Sequence, residues 1–314
     1  AGVFSKKVTL KVGENHFVIR AVDRAGNLSQ DTVKVTRSRP LVRSISTRGG
    51  RTLALLDDGS VRLWGDSYRT SLVVPDSVKN CIKVSTGGTH YVAIRADSTL
   101  LLWGANTWSM LVAPADLGKV VAIAAGIEHT VVLQANGNVR AWGRNIEGQS
   151  DVPSTLSDVI DVAAGVNFSA AITRDGSVHV WGDTSSGIGN VSQINNAQKI
   201  VAGNRHLLVL KSDGSISAWG DNEYGQCAVP QKANLVKRIA AGAFHSIVIL
   251  QDGTIAAWGR NDEKQLDIPQ GLFNVADVSA GNFYSIAVQN DGTLRGWGSN
   301  SADQIKFPED LTAP

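Results

Sequence analysis

Cysteine is almost absent from this chain. Cys81 and Cys227 are the only two in 314 residues, and they fall in different segments of a repeating sequence. That excludes a disulfide scaffold, and two thiols so far apart make no metal knuckle. Long apolar runs are also lacking. No stretch reaches ~18 apolar residues, so no segment reads as a membrane-spanning helix. No signal peptide opens the chain, and Ala1 in place of a Met reads as the start of an excerpt or a processed form. Net charge is small, +2, which gives no whole-protein basis for a nucleic-acid partner. The charge is uneven: residues 1–51 carry eleven Lys or Arg against Glu14, Asp23 and Asp31, hence +8, and the remainder carries −6. A solvated basic lead-in facing a mildly acidic body accounts for this, with a docking strip for an anionic polymer as the sharper alternative. Catalytic signatures are missing too. There is no G-x-S-x-G and no phosphate-cradling loop before a helix. Asp58, Asp175, Asp213, Asp252 and Asp291 each precede Gly, which marks them as turn residues rather than acid–base pairs. No enzyme, cofactor or metal is expected.

What is present is one sentence written seven times. Trp-Gly stands at Trp64, Trp103, Trp142, Trp181, Trp219, Trp258 and Trp297, at steps of 39, 39, 39, 38, 39 and 39. Sixteen residues before each Trp lies a Gly, except for Arg48 in the first copy; five before lies another, except for Ser98. Between them run short Val- and Ile-rich segments separated by Asp-Gly or Asn-Gly, the pair that suits a tight hairpin turn. Runs such as His245–Leu250 are apolar on both faces, so each strand is covered on both sides. Each repeat therefore reads as an antiparallel meander, with a fourth, outer strand such as 149–152 ahead of Pro153. Units of this kind at a period near 40 stack radially. The expected fold is all-β, a seven-bladed propeller over 39–308, with one Trp per blade as the wedge against its neighbour.

The repeats resemble those of the regulator of chromosome condensation (RCC1). Ala125-Gly126, His129, Trp142-Gly143, Asn145 and Gly148-Gln149 fit the pattern, as do Ala241-Gly242, His245-Ser246, Trp258-Gly259, Asn261 and Gln265. Their shortness and wording are closest in style to the secreted bacterial propeller that inhibits β-lactamases. No insertion resembles the wedge of the eukaryotic exchange factor, so the resemblance does not imply nucleotide exchange. Residues 1–38, with Ala21–Asn27 followed by Thr32–Thr36, resemble the closing part of a bacterial immunoglobulin-like module. That resemblance implies a secreted or cell-surface setting in a bacterium. Residues 309–314 read as a trailing tail, the start of a truncated linker.

His90, His129, His206 and His245 share one repeat position, where Arg51, Phe168 and Tyr284 stand elsewhere. Bulky non-ligand replacements argue for core imidazoles bonded to backbone rather than for metal ligands. Two loops vary freely between copies: one follows the first Gly, the other follows Trp-Gly. In a meander both lie on the same face of the disc. The candidate binding residues on that face are Tyr68, Arg69, Trp108, Met110, Glu128, Asn167, Arg205, Tyr224, Phe244 and Phe283, with aromatics as anchors. The expected function is a non-catalytic module binding a protein partner. A glycan or cell-wall polymer reader, or a passive structural unit, are the alternatives. At the seam of the ring, the segment 304–307 is expected to fill the slot beside the first blade, leaving residues 1–37 as an appendage.

Overall fold

The computed structural model describes residues 13–23, 25–37, 39–68, 72–191 and 194–312. Seven three-stranded antiparallel sheets follow one another, over residues 42–65, 81–104, 120–143, 159–182, 197–220, 236–259 and 275–298. These are blades 1 to 7, each with an inner, a middle and an outer strand in chain order. Ahead of them β1 (Gly13–Val22) pairs with β2 (Leu28–Arg37), so Thr32 faces Val18 and Thr36 faces Glu14 rather than a blade strand. The first twelve residues of the lead-in expected to be immunoglobulin-like, 1–12, lie outside the described residues. Helix is confined there to two three-residue 3-10 turns, Thr107–Ser109 and Glu309–Leu311.

The local chemistry repeats with the sequence. In blade 4, Val159–Ala164, Phe168–Thr173 and Val178–Gly182 form the sheet, and every residue of the middle strand is buried. The turn between middle and outer strands needs a left-handed residue, and Gly176 supplies it with φ +82°, while Asp175 Oδ1 accepts the Ser177 N–H at 3.0 Å. Ser98, the exception at this position, keeps the same conformation with φ +67°. The inner strand carries a register shift between Val159 and Asp161, a bulge that recurs at the equivalent place in all seven blades.

Among the described residues the fourth strand is not formed. Each blade has three hydrogen-bonded strands, and the segment after the outer strand runs as turns, with Gly148 donating to Asn145 O and Asp151 to Gly148 O. What it contributes is a carbonyl. The indole N–H of Trp181 in blade 4 donates to Gln149 O at 3.0 Å, Trp258 to Gln226 O at 3.0 Å and Trp297 to Gln265 O at 2.9 Å. Each of these Trp belongs to the next blade along. Satisfying the buried N–H this way lets these Trp deliver their apolar area without an orphaned donor, whereas the buried Trp103 N–H has no partner among the described residues. Trp181 packs with Val131, Leu133 and Val139 of blade 3 as well as with Val162 and Ala164 of its own blade.

The ring closes by the same device. Trp64 of blade 1 donates to Gln304 O at 3.0 Å, and Ile305, Phe307 and Leu311 pack with Trp64, Tyr284 and Ile286. The residues read as a trailing linker instead finish this seam: Leu311 is buried, Asp310 accepts from Arg62 at 2.7 Å, and Arg39 donates to Thr312 O.

A second belt joins the blades. His90 Nε2 meets Thr130 Oγ1 at 2.9 Å, His129 meets Ser169 at 3.0 Å, His206 meets Ser246 at 3.1 Å and His245 meets Ser285 at 2.9 Å. Each imidazole thus bonds to a hydroxyl of the following blade, not to backbone as its apolar setting suggested. Burial, reinforced at His90, His129 and His206 by the Arg48 charge, holds these rings neutral: pKa values fall to about 4 for His90 and His206 and to about 3 for His129 and His245. The belt also explains the recurring Gly. A Cβ on Gly126 would sit 2.2 Å from His129 Cε1, and one on Gly165 would sit 1.9 Å from Phe168 Cε1.

Candidate functional site: the loop face

The two variable loops of each repeat do lie on one face. The backbone shows it directly: Arg144 N, just after Trp142-Gly143, donates to Glu128 O at 2.7 Å, and Arg260 N donates to Phe244 O at 2.9 Å. Neighbouring loops are tied as well. Val166 N donates to Asn204 O, Ala243 N to Gly281 O and Asn282 N to Gly49 O, each at 3.0 Å. The face is therefore a fixed platform, with side chains free to vary on a rigid backbone.

Blades 5 to 7 carry an aromatic cluster there. Tyr224 and Phe244 meet edge to face with centroids 5.5 Å apart, and Phe244 stacks on Phe283 at 5.9 Å. The Arg260 guanidinium lies 4.9 Å from the Tyr224 ring, 5.6 Å from Phe244 and 5.0 Å from Phe283. Asp262 accepts from Arg260 Nε at 2.7 Å and, as the main cause, raises the Arg260 pKa further. Tyr224 remains 37% exposed, so the cluster is presented rather than buried.

Blades 3 and 4 carry a polar counterpart. Arg144 reaches Glu147 at 2.9 Å, Asn167 Oδ1 at 2.6 Å and Glu128 at 3.6 Å. A cavity of about 120 Å³ separates the two patches, lined by Asn167, Asp183, Ser186, Arg205 and Phe244 among others. Six of the expected residues, Glu128, Asn167, Arg205, Tyr224, Phe244 and Phe283, are thereby brought to one arc of the face. Arg144 and Arg260 organise this arc, and the sequence reading passed over both. The signal was the residue after Trp-Gly, which is Arg in these two copies and Asp, Ala or Ser in the others.

The remaining candidates divide. Tyr68 is 69% and Trp108 47% exposed, on the loops after blades 1 and 2, a different arc. Trp108 and Ser109 both hold left-handed backbone, φ 59° and 57°, uncommon for a bulky residue. Met110 is a correction: it is fully buried, and its carbonyl accepts the Trp142 N–H at 2.9 Å. It stands at the position filled by Gln149, Gln226, Gln265 and Gln304 in other copies, so its neighbour Trp108 was a misleading guide. Arg69 lies outside the described residues.

Among the described residues the face pairs no nucleophile with a base. Among the described residues no group of three or more His, Cys, Asp or Glu could hold a metal ion, and no helix is long and apolar enough to cross a membrane. Cys81 and Cys227 are free thiols; burial, with Asp221 adding, pushes the Cys227 pKa up to about 12.

The model of the Regulator of chromosome condensation (RCC1) repeat matches residues 120–149, 159–188, 197–226, 236–265 and 275–304, one match for each of blades 3 to 7. The chain is an RCC1-like repeat propeller. Solved propellers share the fold. The ectodomain of the Arabidopsis thaliana receptor kinase ACR4 superposes with a TM-score of 0.65 at 20% identity, covering 84% of this chain and 98% of that one. Prp20p of Saccharomyces cerevisiae, which binds Gsp1p and histones, superposes at 0.63 and 20%, covering 76% and 80%. Human WBSCR16 gives 0.65 and 18%, covering 82% and 89%. No curated protein sequence matches the chain significantly. In this RCC1-like propeller the match is weakest where the sequence departs most: blades 1 and 2 hold Arg48, Arg51 and Ser98 in place of the repeat's Gly, His and Gly.

Proposed function

We propose that this propeller is a non-catalytic binding module that engages a protein partner through the loop face of blades 3 to 7. One observation carries the reading: three aromatic rings and Arg260 form a partly exposed, pre-organised cluster on a backbone fixed by inter-blade hydrogen bonds. Aromatic and Arg side chains are the residue types that dominate binding energy at protein interfaces, and rigidity lowers the entropy cost of docking. The adjacent polar patch around Arg144 supplies a rim. Prp20p offers a precedent, since a propeller of the same fold binds proteins. A secreted or bacterial cell-surface setting is part of the proposal and rests on the likeness of the lead-in to an immunoglobulin-like module.

The test is photo-crosslinking. A photoreactive residue at position 224 is expected to give one discrete protein adduct, whereas the same residue at position 252, in an Asp-Gly turn on the opposite face, gives none. Phe244→Ala with Phe283→Ala should abolish the adduct without lowering the melting temperature by more than a few degrees. Equal labelling from both faces, or saturable glycan binding that needs Tyr224, would overturn the reading.

A further inference from the structure

The central channel holds a cavity of about 650 Å³, and its charges do not balance. It is lined by Arg48, Lys199, Lys237 and Arg238 against Asp161 and Asp277, four cations to two carboxylates. Both carboxylates are already engaged. Asp161 lies 3.6 Å from Lys199 and accepts Ile200 N–H; Asp277 lies 3.3 Å from Arg238 and accepts Ile45 N–H. That leaves Arg48 and Lys237 without a counter-charge.

Arg48 is the informative one. It stands where six of the seven copies have Gly, on the last residue of blade 1's inner strand, and its side chain crosses the channel. Its Nη2 donates to Ala164 O of blade 4 at 2.7 Å and to Ala202 O of blade 5 at 3.4 Å. Among the described residues it has no carboxylate partner, and its Nε and Nη1 make no hydrogen bond. The guanidinium keeps accessible surface toward the channel while protein encloses its charge, and burial alone pulls its pKa down to about 10. An enclosed cation with two open donor groups is unfavourable unless an anion meets it. Lys237 and Arg238 sit at the start of blade 6's inner strand, near the turn face, so an anion entering from that side meets positive charge first and the Arg48 fork last.

We propose that the central channel is a binding site for a small oxyanion, a phosphate or a carboxylate, held by the Arg48 guanidinium and drawn in by Lys237. The volume falls in the range of small-ligand sites. The site is separate from the loop-face cluster, so either can fail without the other.

Titration calorimetry with inorganic phosphate and, separately, with citrate tests this and tells the two anion types apart; chloride is the control. The full chain is expected to bind one of the two with a stoichiometry of one and an affinity that falls with added salt. Arg48→Gln should weaken binding at least tenfold, and Lys237→Ala several-fold with an unchanged melting temperature. If Arg48→Gln does not fold, Lys237→Ala still decides. Overturning results are no saturable binding of either anion by the full chain, or binding that the variants leave unchanged; in the first case Arg48 is a staple across the ring and nothing more.

Discussion

Trp64 and Gln304 are 240 residues apart in sequence, yet the indole N–H of the first donates to the carbonyl of the second at 3.0 Å. That single contact repeats, across the start and end of the ring, what Trp181 and Gln149 do within it. The seam is therefore made by the C-terminal segment. Deleting residues 304–312 removes the buried Leu311 together with Ile305 and Phe307. Each lost large apolar side chain costs ~2–5 kcal/mol, so the truncated chain should unfold at far lower urea. Deleting residues 1–37 should leave the urea midpoint nearly unchanged, because β2 pairs only with β1.

Trp142 and Trp108 make a controlled pair. Trp142→Ala should destabilise by about 3–5 kcal/mol, since the ring is buried and its N–H is bonded. Trp108→Ala should leave the melting temperature within a few degrees, because half of that side chain is already in solvent. Thermal unfolding followed by near-ultraviolet circular dichroism reads both.

Acid should open the ring through the histidine belt. The four imidazoles are held neutral with pKa values of about 3 to 4, and in the unfolded chain they protonate near 6.5. The unfolded state thus takes up more protons below pH ~6.5, so stability is complete above that value and falls as the pH drops toward 4. Asp277, raised to about 6 by burial, acts in the opposite sense, because its protonation relieves a buried charge. Asp161, also raised by burial, acts the same way, so two groups stand against four, and loss dominates. Urea midpoints measured between pH 7 and 4.5 should decline steadily; a flat profile would mean the belt is open to water.

Gly126→Ala should be as damaging as a core deletion. The added Cβ would lie 2.2 Å from His129 Cε1 and 2.7 Å from Gly165 O. A second change, His129→Ala, should recover part of the loss but not all, since the carbonyl clash remains. Denaturant unfolding of the two variants gives the coupling.

The ring itself was legible because its punctuation is steric. Gly165 is needed under the Phe168 ring, Gly176 supplies a left-handed turn, and Trp181 fills a fixed wedge, so each leaves a mark at constant spacing. The loop face was legible from variation among copies, which brought out Tyr224, Phe244 and Phe283. Hydrogen-bond partners were not. Whether 149–152 pairs as a strand or only lends a carbonyl to Trp181 depends on the next blade, not on its own residues. Met110 was misplaced by proximity to Trp108, although counting thirty-two residues back from Trp142 puts it in the Gln149 register. Arg260 gave no local sign of lying against three rings, because those rings come from blades 5, 6 and 7.

The hand-over of a carbonyl from one repeat to the next Trp, made at Trp64, Trp142, Trp181, Trp258 and Trp297, also means that the genetic unit and the blade are out of phase. A copy of the repeat carries its own wedge and the lid for its successor's. Recombination between such copies, adding or removing one period of about 39 residues, would leave each junction of this kind with both parts, wedge and lid. Only the seam would have to readjust, with the curvature shared among six or eight blades instead of seven. A chain built this way can change its copy number, and so the circumference of its loop face, without inventing a new joint.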